Sequence, residues 1–126
     1  MIVVGGNKID FGNKELLLRI IQNKRHILSL TDNVYSYSFL SYPEYTHCPI
    51  DMRQDVWLMY EELDMVVGRC KFSQYRKRIL NLAYEGFTLG EIAIVLGKTY
   101  NNIKVTFYNM VEKIIVIYEN DYKERG

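Results

Sequence analysis

A length of 126 residues suits one ordinary domain, or one small module with a substantial extension, and leaves no room within it for a second large catalytic domain. At 48% hydrophobic and 25% charged the chain has the composition of a globular protein, and no apolar run approaches the roughly 20 residues that cross a bilayer, so no membrane role is expected. The formal charge of +1 conceals an asymmetry: residues 1–70 hold seven Lys or Arg against nine acids, and residues 71–126 hold nine against six. The C-terminal excess permits nucleic-acid binding, and it fits scattered solvated charge equally well.

The opening Met1-Ile2-Val3-Val4-Gly5-Gly6 lacks the basic start and longer apolar middle of a signal peptide, so a cytoplasmic protein is expected. Cys48 and Cys70 are lone thiols without CxxC spacing, consistent with reduced cysteines. With them, His47 and His26 make a poor zinc set, and neither metal nor other cofactor is expected. Residues from about Lys14 to Leu30 place Leu17, Ile20, Ile21, Ile27 and Leu28 close to helical spacing, which predicts one amphipathic helix after Asn13. Its Lys24-Arg25 pair reads as a wetted face.

From Thr31 to Pro49 the pattern breaks into Tyr35, Tyr37, Phe39, Tyr42 and Tyr45 among serines. Rings without a basic groove favour a packed loop or short hairpin over a platform for single-stranded bases. The change of character near residue 50 divides the chain into an N-terminal helix with an aromatic-rich loop (1–50) and a helical domain (51–126). Asp51 starts a second amphipathic stretch with Met52, Val56, Met59, Leu63 and Val66 or Val67, ended by Gly68. Its Glu61, Glu62 and Asp64 have no partnering histidine and read as solvated surface.

Ser73 can cap a third helix through Ile79, Leu80, Leu82 and Ala83, with Gly86 as its left-handed C-terminal cap. Thr88 followed three residues later by Glu91 is a capping box, and the short helix after it takes its apolar side from Ile92, Ala93, Val95 and Leu96. Gly97 turns the chain, and Thr99 caps a last helix through Ile103, Phe107, Met110 or Val111, and Ile114. Away from Ile103 and Phe107 project Tyr100, Asn101, Lys104, Val105 and Tyr108, a set of amide, ammonium and phenol groups suited to a major groove. Ile114-Ile115-Val116-Ile117-Tyr118 is apolar all round, so it must be covered on both sides, by the N-terminal helices or by another subunit.

The run Tyr84-Glu85-Gly86-Phe87-Thr88-Leu89-Gly90-Glu91-Ile92-Ala93, then Val95-Leu96-Gly97, then Ile103-Lys104, resembles region 4 of bacterial sigma factors over roughly residues 73–118. The resemblance implies an all-α, multi-helix domain with a C-terminal helix-turn-helix of the sigma region 4 type, binding double-stranded DNA at promoters and touching RNA polymerase. By position it implies phosphate contacts from Thr88 and Lys98, base or backbone contacts from Tyr100, Asn101, Lys104, Val105 and Tyr108, and a place for Thr99 in the same DNA-binding set. Thr106 and Asn109 stand where the family commonly has basic residues, and Gly90 replaces a usual helix former. Without arginine, the commonest reader of guanine, this last helix implies A·T preference, weak binding or dependence on a partner.

A second expectation belongs to a different class: an oligomeric assembly protein, such as the small DNA-packaging subunit of a phage, motivated by the apolar end of the last helix. The chain's size and lack of a recognisable sigma region 2 fit a phage or mobile-element origin for either reading. No GxGxxG, P-loop, HExxH or GxSxG occurs, so an enzyme is not expected.

Overall fold

The computed structural model describes residues 2–4, 7–30 and 50–121, and the aromatic-rich segment, with His47 and Cys48, lies outside the described residues. The architecture is helical, with one small addition at its start. Strands β1 (Ile2–Val4) and β2 (Asn7–Ile9) pair antiparallel in the register Ile2 to Ile9, and β1 lies against the third helix. Six helices follow among the described residues: α1 (Lys14–Gln22), α2 (Lys24–Leu30), α3 (Ile50–Cys70), α4 (Gln74–Tyr84), α5 (Leu89–Leu96) and α6 (Tyr100–Asp121).

Asn13 caps α1 as expected, its side chain accepting from the Leu16 amide at 3.2 Å. The single helix expected from Lys14 to Leu30 is two, broken at Asn23, whose backbone leaves the helical region at φ −117 and ψ 17. The last four carbonyls of a helix lack an internal partner. At Ile20 that vacancy is filled from outside, by the buried Tyr60 hydroxyl of α3 donating to the Ile20 carbonyl at 2.7 Å. Nearby, the Lys24 ammonium at the start of α2 lies 4.2 Å from the Tyr84 ring centre and 5.2 Å from that of Tyr60.

Gly68 does not end α3, which runs on to Cys70 and stops where Lys71 takes a left-handed φ of 53. Gly68 faces open space, with nothing within 4 Å of an added Cβ, so the helix passes through it at a cost of about 1 kcal/mol relative to alanine. Cys70 is buried against the Val66 carbonyl, and burial raises its thiol pKa.

One hydrophobic core joins the N-terminal residues to the C-terminal helices: Phe11, Leu17, Ile20 and Ile21 pack with Met59, Leu63, Ile79, Phe107 and Tyr118, all fully buried. The apolar end of α6 is covered from within the chain. Ile114 and Tyr118 are buried, and the Phe11 ring meets Tyr118 edge-on at 5.2 Å between centres. Burial on every side does not hold, because Val116 points outward and remains 53% exposed. Ion pairs from Lys14 to Glu112 (2.7 Å) and from Arg69 to Asp121 (3.0 Å) tie the sides of α6 to α1 and to the end of α3. No helix among the described residues is long and apolar enough to cross a membrane.

Candidate nucleic-acid interface

Local chemistry accounts for the path through α4, α5 and α6. The Ser73 side chain accepts from the Arg76 amide, and α4 ends with Gly86 at φ 99, where the Phe87 amide reaches back to the Leu82 carbonyl at 3.1 Å. The capping box is complete: Thr88 Oγ1 accepts from the Glu91 amide at 3.2 Å, and the Thr88 amide donates to Glu91 Oε1 at 2.9 Å. The Thr88 amide, and after it the Thr88 hydroxyl, hydrogen-bond the Glu91 carboxyl and hold it below its usual pKa range. Gly97 closes α5 at φ 66 and ψ 36, a left-handed turn open to glycine at no steric cost, and Thr99 Oγ1 accepts from the Asn102 amide at 3.1 Å to start α6.

The face of α5 turned to the core differs from the expected one. Leu89, Ile92 and Ala93 are buried, whereas Val95 is 52% exposed and Leu96 only half-buried. Residue spacing explains the change, since Leu89, Ile92 and Ala93 at i, i+3 and i+4 form one stripe and Val95 falls outside it. Ile94, at 82% exposed, is the most exposed large apolar side chain described. The small Ala93 is buried on α5, which packs against both α4 and α6.

Of the expected site residues, Lys98, Thr99, Tyr100, Asn101, Lys104 and Val105 come together as one exposed surface at the start of α6. No acidic residue occurs between Lys98 and Val111, so nothing on this length of chain offsets the two lysines. Thr88 sits apart at the start of α5. Its hydroxyl accepts from the Glu91 amide and also bonds the Glu91 carboxylate, so it is taken up in the cap, and the ionised Glu91 beside it disfavours a phosphate there. Tyr108 is half-buried, with the Lys14 ammonium 5.5 Å from its ring centre, and so faces α1 more than open solvent.

No family model, curated protein or solved structure matches this chain. The interface therefore stands on its own geometry. Tyr100 and Tyr108 also line an open cleft of about 580 Å³ together with Gln22, Asn23 and the Gly86–Gly90 stretch. No charged side chain lines it, so it offers hydrogen bonds and ring faces without an acid, a base or a cation. Among the described residues no three His, Cys, Asp or Glu side chains gather as a metal site.

Sequence reasoning missed the support supplied by α4. The Tyr75 hydroxyl and the Asn102 side-chain oxygen are 3.0 Å apart in a hydrogen bond that joins the starts of α4 and α6, and the Lys98 ammonium lies 5.7 Å from the Tyr75 ring centre. Arg78, exposed and three residues beyond Tyr75, lies on the same side of α4. The consecutive Arg76, Lys77 and Arg78 were visible as a basic run, but only the Tyr75 contact brings that run to the interface. Asn109 was legible as the next step of the Asn101, Val105 spacing.

Proposed function

We propose that the protein binds double-stranded DNA without catalysing a reaction, laying the first turns of α6 in the major groove while Lys98, Lys104 and Arg78 meet flanking phosphates. The observation that carries this reading is the pairing of two short-turned, capped helices with an exposed, acid-free polar face at the start of the second. The sigma-like residues of α5 and of its flanking turns support a role at promoters in contact with RNA polymerase.

The test is fluorescence anisotropy of a random-sequence duplex titrated with the full chain at several salt concentrations. Nonspecific dissociation constants on the order of 10⁻⁴ to 10⁻⁶ M, rising steeply with salt, are expected. Lys104→Ala and Arg78→Ala should each weaken binding to every sequence and lower the salt slope by about 1. Absence of binding at low salt would refute the reading. Light scattering separates a promoter factor, a monomer or dimer, from a packaging ring of many subunits.

A further inference from the structure

We infer that α6 reads A·T base pairs in the major groove through a single stripe, Asn101, Val105 and Asn109, with Asn101 on an adenine and Val105 on the methyl of a neighbouring thymine. This rests on the duplex-binding reading above. The three residues follow at intervals of four and so line one side of α6, and all are exposed, Val105 to 51%. At about 1.5 Å per residue the stripe is about 12 Å long. The major groove of B-form DNA is also about 12 Å wide.

The neighbours that might compete are engaged elsewhere. Asn102 is bonded to the Tyr75 hydroxyl, the Thr99 oxygen accepts the Asn102 amide, and Tyr108 is half-buried beside Lys14. Beyond Asn109 the face is closed by the ion pair of Lys14 with Glu112 at 2.7 Å. Lys104 lies round the helix from the stripe, on the side of Tyr100, where an ammonium meets backbone phosphate instead of a base edge.

The chemistry of the stripe selects the base pair. A carboxamide offers one donor and one acceptor edge, which matches the N7 acceptor and N6 donor of adenine, and guanine presents acceptors at both places. An isopropyl group makes no hydrogen bond, and its only apolar counterpart among major-groove base edges is the thymine C5-methyl. Against G·C, Val105 would cover a polar edge and leave it without water or partner.

The experiment compares three duplexes of equal length: alternating A·T, the same duplex with deoxyuridine for every thymidine, and alternating G·C. Anisotropy titrations at one low salt concentration use the full chain, Asn101→Ala and Val105→Ser, both exposed positions whose replacement leaves the core intact. The chain should prefer A·T to G·C by about tenfold. Removing the thymine methyls should weaken it about fourfold, the equivalent of one buried methyl group. Val105→Ser should lose that methyl sensitivity, and Asn101→Ala should narrow the A·T to G·C ratio. Equal affinity for A·T and G·C would overturn this inference alone, as would methyl sensitivity that survives in Val105→Ser. An A·T preference unaffected by methyl removal would do the same, because it would come from groove shape. Failure to bind any of the three duplexes would overturn the duplex-binding reading and this inference with it.

Discussion

Replacing Gly97 and Gly90 in turn by alanine makes one chemical change near either end of α5 and should shift stability in opposite directions. Gly97 is left-handed at φ 66, where an L-residue is strained by about 1–2 kcal/mol, and nothing lies within 4 Å of an added Cβ to increase that figure. A methyl group also restricts the unfolded chain, which returns about 0.4–1 kcal/mol, so the net loss for Gly97→Ala is about 1 kcal/mol. Gly90 lies inside α5 without a positive φ, and its nearest neighbour, Thr88 Oγ1, would sit at an ordinary 3.9 Å. Gly90→Ala should therefore gain up to about 1 kcal/mol of helix propensity. With an unfolding entropy of about 2.1 cal/mol/K per residue, each kcal/mol moves the midpoint of this chain by about 4 °C. The two variants should melt about 8 °C apart by far-UV circular dichroism, with the parent between them. Shifts of the same sign would refute the assignment of a left-handed turn between α5 and α6.

Tyr60→Phe leaves the buried Ile20 carbonyl without its donor and should cost about 1–3 kcal/mol in urea unfolding, with the ring's packing retained; an unchanged midpoint would mean that the hydroxyl does not hold that carbonyl. Phe11→Ala removes a fully buried ring from the end of α6 and should cost about 3–5 kcal/mol, a loss that thermal melting would detect directly. Burial first, then nearby negative charge, raises the pKa of Tyr60, Tyr84 and Tyr118, the last to about 12. Their stabilisation is fully present below the unfolded value of about 10 and is lost as pH rises through the folded values, so unfolding free energies measured across that range should fall. A flat profile would mean that these hydroxyls are open to water. For Glu91 the sign is opposite: its contribution is present above the usual carboxylate pKa and lost as pH falls through its lowered value, so α5 should loosen first in acid.

The helix caps were legible because each is written in neighbouring residues. Asn13, Ser73, Thr88 and Thr99 bond amides within three positions of themselves, and Gly86 and Gly97 adopt the left-handed turns that their place after apolar runs predicts. What escaped depends on groups far along the chain. The Ile20 carbonyl left open by the break at Asn23 is satisfied by a hydroxyl 40 residues beyond it, and the tethering of Asn102 answers to Tyr75, 27 residues before it. The β1–β2 pair was missed because three-residue strands are too short to display alternation, leaving Gly5-Gly6 as the only local signal. On α5, a run of consecutive apolar residues concealed which of them faced inward, and tertiary packing chose Leu89 over Val95.

The edge-on contact of Phe11 with Tyr118 has a consequence for portability. A fragment starting at α3 would keep every residue of the capped turns and of the exposed Asn101, Val105 and Asn109 stripe, yet it would expose the buried side of α6 that Phe11 and α1 now cover. The α5–α6 pair is thus not a cassette to be grafted onto another protein by itself. Its exposed polar face is built from the last third of the chain, and its anchor from the residues around Phe11 and α1.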